Sequence, residues 1–172
     1  MFQANTDDGF SIVTYTGTGS ATTFAHGLGG VPEVMIIKNR TGGSHGWSGF
    51  YHHLMAGNAA ASATDYLSFD SASTLVDDAT IWADTPPDEN VFTVGSANNT
   101  GGSKDYVGYF FRSIEGYSKF GVYTASGNAD GPVVFTGFRP QLVIVKNTAS
   151  AFNWPILDLS LIHISEPTRL HG

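Results

Sequence analysis

The apolar runs of this sequence are short, and most are closed at both ends by Gly, Asn, Asp, Ser or Pro. Runs of that kind are the signature of β-strands, because turn formers cut the chain before a helix could bury a face. Phe10 to Thr16 carries Phe10 and Ile12 with Thr14 and Thr16 interposed. Val34 to Ile37 is continuously apolar, which predicts a strand buried on both faces or central in a sheet. Pro32 precedes it, where a missing N–H costs nothing. Trp47 to Tyr51, Tyr66 to Phe69, Thr80 to Trp82, Val91 to Val94 and Asp105 to Phe111 read as further strands. The one helix candidate, His53 to Ala61, is weakened by Gly57 and Asn58. Gly29-Gly30, Gly42-Gly43, Pro86-Pro87 and Asn98 to Gly102 are expected turns. The expected fold is all-β, an antiparallel β-sandwich of jelly-roll-like form.

The sequence also repeats itself. Tyr15-Thr16-Gly17-Thr18-Gly19-Ser20-Ala21 is answered by Tyr123-Thr124-Ala125-Ser126-Gly127-Asn128-Ala129. Gly29 to Asn39 is answered by Gly137 to Asn147 at the same offset of 108 residues, without a gap. Gly9-Phe10-Ser11 matches Gly116-Tyr117-Ser118 after a slip of one residue. A period near 100 residues fits whole domains better than solenoid repeats. The expected organisation is a first β-sandwich repeat over residues 8–115 and a truncated second repeat over 116–158. The alternative is two similar strand-turn-strand units inside one sandwich. In the second repeat, Lys119 to Thr124, Val133 to Phe135, Leu142 to Val145 and Asn153 to Leu157 are the expected strands. Such a partial unit would expose unpaired edges unless it packs on the first repeat or is locally disordered.

Leu159 to Arg169 resembles, residue for residue, the translation of a sequencing adapter of the kind ligated by transposase. Residues 159–172 are therefore set aside from fold reasoning, and the natural sequence is expected to stop near Asp158. Net charge is unaffected, since Glu166 and Arg169 cancel. Deleting this tail is expected to leave folding unchanged.

Charged residues make up 13% of the chain, about half the usual share, and the formal net charge is -7. An acidic chain without clustered Lys and Arg argues against a nucleic-acid partner. There is no cysteine, which excludes disulfides and Cys-based zinc sites. Met1 to Asn5 shows no basic segment followed by an apolar run, so no signal peptide is expected. No apolar stretch approaches the roughly 20 residues that span a bilayer, and no membrane insertion is expected. An extracytoplasmic role would then need another exit, such as assembly into a virus released by lysis.

Chemistry-bearing residues are scattered. Of six histidines, two lie in the set-aside tail. His26 reads as a turn or strand-end residue. His45, His52 and His53 lie within nine positions, but on a strand His52 and His53 would face opposite ways and could not easily share one ion. No resident metal or cofactor is expected. Asp70, Asp77 and Asp78 form the one cluster that loop oxygen chemistry would suit, for calcium. Asp7-Asp8, Asp77-Asp78 and Asp88-Glu89 read as solvated turn formers rather than the spaced acid pair of a glycosidase. No nucleophile elbow, phosphate loop or HExxH motif occurs, so no catalytic residue is assigned and the chain is not expected to be an enzyme. Aromatics remain. Trp47, Trp82, Trp154, Tyr51 and Tyr66 could stack on sugar rings or fill the core. Trp47, Tyr51, His52 and Trp82 are the candidate ligand-binding residues. The recurring Lys38-Asn39 and Lys146-Asn147 fit strand exits, with the ammonium reaching water and Asn forming a turn.

The runs Gly9 to Gly17, His26 to Gly29, Ile36 to Arg40, Val91 to Gly95 and Glu115 to Gly121, with Pro32, Trp47 and Tyr51-His52, resemble an uncharacterised domain common in marine bacteriophage. The resemblance covers nearly the whole chain up to the tail. It implies a β-rich module, found in successive copies in large structural or tail-fibre-like proteins, with no known catalytic residues. The expected role is a structural and adhesive module of a virion appendage, located in the virion. Its expected partners are other virion proteins or neighbouring copies, and host surface glycans if it acts as a lectin-like module. A glycan depolymerase is a further alternative.

Overall fold

A computed structural model describes residues 2–5, 7–42, 46–52, 65–128 and 130–159. The strand expected at Phe10–Thr16 is realised as β2, but in the opposite phase to the Phe10–Ile12 pattern: Ser11, Val13 and Tyr15 are turned inward, and Phe10 and Ile12 are half-buried on the other face. β1 (Phe2–Asn5) pairs with it antiparallel on one side. On the other side lies β9 (Asp105–Phe111), with Tyr15 opposite Tyr106. β4 (Val34–Asn39) pairs with the far edge of β9, and β5 (Trp47–His52) pairs with β4. The result is one antiparallel five-stranded sheet in the order β1-β2-β9-β4-β5. The continuous apolar run of β4 is thus an interior strand, as its composition required. β9 joins two strands that are far apart in sequence, so closing the sheet waits on a long-range contact.

A second, smaller layer covers the inner face. β3 (Thr22–Ala25) and β8 (Val91–Val94) form an antiparallel pair. Phe92 of β8 packs 4.6 Å from Phe110 and 5.4 Å from Tyr15, ring centre to ring centre. Tyr15 also stacks on Tyr106 at 5.1 Å. Met35, Ile37, Leu28, Val94, Ile81 and Trp82 complete this core. Burying such side chains contributes about 1.5–3 kcal/mol each. The fold is all-β and antiparallel, an open two-layered arrangement, with one short helical turn, α1, set into it.

That helix corrects one expectation. Thr80 to Trp82 is not a strand but lies in α1 (Ala79–Trp82). Asp78 caps it, accepting from Thr80 N at 2.9 Å and Thr80 Oγ1 at 2.6 Å. The cap satisfies a helix donor that a β-reading ignores. The turn places Ile81 and Trp82 together in the core, where period two would have split them between faces. Two other expectations shrink. Tyr66 to Phe69 reduces to β6 (Asp65–Tyr66), which pairs with β7 (Val76–Asp77). Neither Lys119 to Thr124 nor Val133 to Phe135 is in a strand. The helix candidate over 53–61 lies outside the described residues, as do His45 and all of the set-aside tail but Leu159. Beyond β9, β10 (Leu142–Ile144) forms a hairpin with β11 (Ile156–Asp158). No helix among the described residues is long and apolar enough to cross a membrane.

Candidate functional site

Alternation along β4 and β9 decides which side chains leave the core. If Met35, Ile37, Tyr106 and Phe110 point inward, then Ile36, Lys38, Val107, Tyr109 and Phe111 point outward. The outer face of the sheet is therefore apolar and aromatic. Ile36, Tyr109 and Phe111 join Trp47 and Phe69 to line an open groove of about 570 Å³. The Trp47 ring lies 5.9 Å from Tyr109, and Lys38 Nζ stands 5.8 Å above it, within cation–π range. Trp47 is 37% exposed. Phe111 stacks on Phe10 at 4.9 Å and meets Phe120 at 6.0 Å, closing one end of the aromatic row.

Trp47 is held by its backbone. Asp70 Oδ2 accepts from Trp47 N at 2.7 Å, and Phe69 N donates to Trp47 O at 2.7 Å. Asp70 is thereby committed to a loop-to-strand bond. Asp78 is committed to the helix cap, and Asp77 lies exposed on β7. Among the described residues, no group of three His, Asp or Glu side chains converges as a metal site. Asp88 accepts from Asn90 N and Val91 N, both at 2.7 Å. Those two donors hold its carboxyl below the ordinary range. It is a turn former, as the pattern suggested.

The candidates divide. Trp47 sits on the open outer face. Trp82 does not: it is fully buried, and its Nε1 donates to Asp65 O at 3.1 Å. Its place is in the core, so the packing alternative holds for it. Tyr51 and His52 are on β5 opposite Met35 and Val34, but their side chains lie outside the described residues. Sequence reasoning missed Tyr109, Phe111 and Phe69. The first two were legible as outward positions once the register of β9 was known, and Phe69 arrives through its loop. His26 follows the end of β3, with its ring wholly buried rather than offered to a ligand.

The segment after β9 reproduces local details of the earlier one. Gly19 and Gly127 have φ of 80° and 73°, and Gly29 and Gly137 have 74° and 87°, all at the 108-residue offset. Asn39 Oδ1 accepts from Thr41 N, and Asn147 Oδ1 accepts from Ala149 N, each at 2.9 Å. Lys146 Nζ stands 5.9 Å above Trp154, as Lys38 stands above Trp47. This hairpin rests on the loop beneath the groove. Trp154 packs 5.0 Å from Phe69 and donates from Nε1 to Ser68 O, while Lys146 Nζ donates to Ala72 O at 3.0 Å.

The sequence matches a domain of unknown function, DUF7483, over residues 1–168. The chain belongs to this family. The match spans both occurrences of the repeated segment. Neither the curated proteins nor the solved structures give a significant match.

Proposed function

We propose that the chain is a non-catalytic structural and adhesive module of a phage virion appendage, built to be strung in tandem. The observation that carries this reading is the recurrence of one hairpin device. Its glycine turns and Asn turn appear twice at the 108-residue offset, its Lys-over-Trp contact recurs with the Trp slipped by one residue, and the second occurrence is docked on the first through Trp154 and Phe69. Chains that must extend as appendages gain from units whose contacts are mainly with their neighbours. The resemblance to phage structural domains and the low charge support the same reading. Gold-labelled antibody against this domain should decorate appendages of the parent virion in electron micrographs. Label confined to infected cells and absent from virions would reject the reading.

A second reading is favoured by one specific feature, the exposed Trp47 ring beside Tyr109 in an open groove. An aromatic platform of this kind can hold the apolar face of a sugar ring, which makes a lectin-like role the alternative. Tryptophan fluorescence titrated with host surface polysaccharide should shift for the native chain and not for Trp47→Ala. Silence across such polysaccharides with folded protein removes it.

A further inference from the structure

Phe69 reaches the groove from the loop of residues 67–75, between β6 and β7. This loop has little side-chain bulk of its own. Leu67, Phe69 and Leu75 are its large apolar residues, and the rest are Ser, Asp, Ala and Thr. Leu67 anchors one end at 1% exposed. Short polar side chains bond locally, as Ser71 Oγ does with Ser73 Oγ at 2.6 Å, and leave the position of the loop to the bonds it makes outward. Those bonds fall on two sides. Toward β5, Phe69 N donates to Trp47 O and Asp70 Oδ2 accepts from Trp47 N, both at 2.7 Å. Toward the connection between β10 and β11, Trp154 Nε1 donates to Ser68 O at 3.1 Å and Lys146 Nζ donates to Ala72 O at 3.0 Å. Leu75 N completes this side by donating to Thr148 O at 3.1 Å. The Trp154 ring also packs against Phe69, tilted by 41°. The bonds to Trp47 grip the loop at two adjacent residues. The bonds to Trp154, Lys146 and Thr148 hold it at 68, 72 and 75, along its length.

We propose that the groove is a composite of the two repeats, its Phe69 wall positioned by Trp154, Lys146 and Thr148 of the second. Trp154 is a positioning residue. It acts through Phe69 and is not itself among the residues that line the groove. An aromatic platform holds a flat ligand face only while its rings keep a fixed spacing, so a slack Phe69 weakens the contact. In an array of such repeats, ligand binding by one repeat then depends on how the next is seated. This inference rests on the tandem-module and lectin-like readings and names the regulation of that same groove, whose ligand is the apolar face of a sugar ring.

The test compares the full chain with Trp154→Ala and Trp154→Phe by backbone amide exchange and by the Trp47 indole N–H resonance. In Trp154→Ala, exchange at Phe69 and Leu75 should quicken about tenfold, as for a lost hydrogen bond and its packing, with Gly95 and Tyr109 unchanged. The Trp47 resonance should shift, because the Phe69 ring beside it moves. Trp154→Phe keeps the ring contact but lacks the donor to Ser68 O, so it should restore part of the protection. Unchanged exchange at Phe69, equal acceleration at Tyr109, or an unmoved Trp47 resonance in Trp154→Ala would overturn the proposal. Polysaccharide titration reads the lectin-like role separately. A pinned Phe69 wall without polysaccharide binding would reject that role and uphold the composite wall.

Discussion

Leu28 N donates to His26 Nδ1 at 3.1 Å, which leaves the imidazole proton on Nε2, directed at the Asp88 carbonyl 3.0 Å away. The ring is buried, and Ser11 Oγ donates to the His26 carbonyl at 2.6 Å. One neutral histidine thus ties the end of β3 to the turn before β8 and to β2. A protonated ring would carry a hydrogen on Nδ1 pointing at the Leu28 N–H.

Burial lowers the pKa of His26 from its ordinary value near 6.5, against a smaller opposing pull from Asp88. The unfolded chain then binds more protons than the folded one below about pH 6.5, so stability falls as pH drops through that range. Thermal unfolding at pH 7.5 and at pH 5 should show a lower midpoint at pH 5. In His26→Asn, the shorter side chain can still accept from Leu28 N but has no imidazole to titrate. That variant should lose about 1–3 kcal/mol at pH 7.5 from the missing bond to Asp88 O and show a shallower pH slope. An unchanged slope would exclude His26 as its source.

Trp47 and Trp82 separate surface from core in a single pair of variants. Trp82→Ala should cost about 3–5 kcal/mol in chemical denaturation, the range for large core deletions. Trp47→Ala, on the open groove, should cost about 1 kcal/mol or less, because it loses one cation–π contact and part of an aromatic packing. Comparable losses for both would mean that the outer face is covered in solution.

The contrast between these two residues also marks how far the sequence could be read. Strand positions with clear period two or a continuous apolar run, such as Phe10–Thr16, Val34–Asn39 and Asp105–Phe111, were legible because side-chain alternation is a local property. Trp82 was not, because Thr80-Ile81-Trp82 has strand composition and the Asp78 cap that overrides it is a single hydrogen-bonding residue. β3 was missed because Thr22-Thr23-Phe24-Ala25 offers one large apolar side chain. The groove was half legible. Trp47 announced itself as an aromatic, while Tyr109 and Phe111 joined it only through the insertion of β9 between β2 and β4, a long-range pairing that no local pattern encodes.

Gly95 ends β8 where its backbone runs against α1. A Cβ there would sit 2.0 Å from the Thr80 carbonyl oxygen, and Gly95 N donates to Ile81 O at 2.8 Å. The opposing atom is backbone, so no side-chain rotation relieves the clash. Gly95→Ala should therefore destabilise by about 1–3 kcal/mol or more, as overpacked interiors do. Equilibrium urea unfolding measures it, and a loss below about 0.5 kcal/mol would mean that α1 moves away at little cost.

Tyr15 supplies the alkaline counterpart of the histidine effect. Its hydroxyl donates to the Thr100 carbonyl at 2.6 Å, and its ring is packed among Phe24, Phe92 and Tyr106. Burial first, and the neighbouring Tyr106 second, push its pKa well above 10. A raised folded-state pKa means that the folded chain keeps its proton when the unfolded chain has lost it. The associated stability is complete below about pH 10 and is lost as pH rises beyond it. Urea unfolding at pH 7, 9 and 10.5 should show the fall confined to the last step. Tyr15→Phe should be weaker at pH 7 by about 1–3 kcal/mol, because the buried Thr100 carbonyl loses its donor. It should also lose less on going to pH 10.5 than the native chain does, with Tyr106 and Tyr66, both raised by burial, supplying the remaining slope. Identical alkaline slopes in the two proteins would show that the Tyr15 phenol is not what resists ionisation in the core.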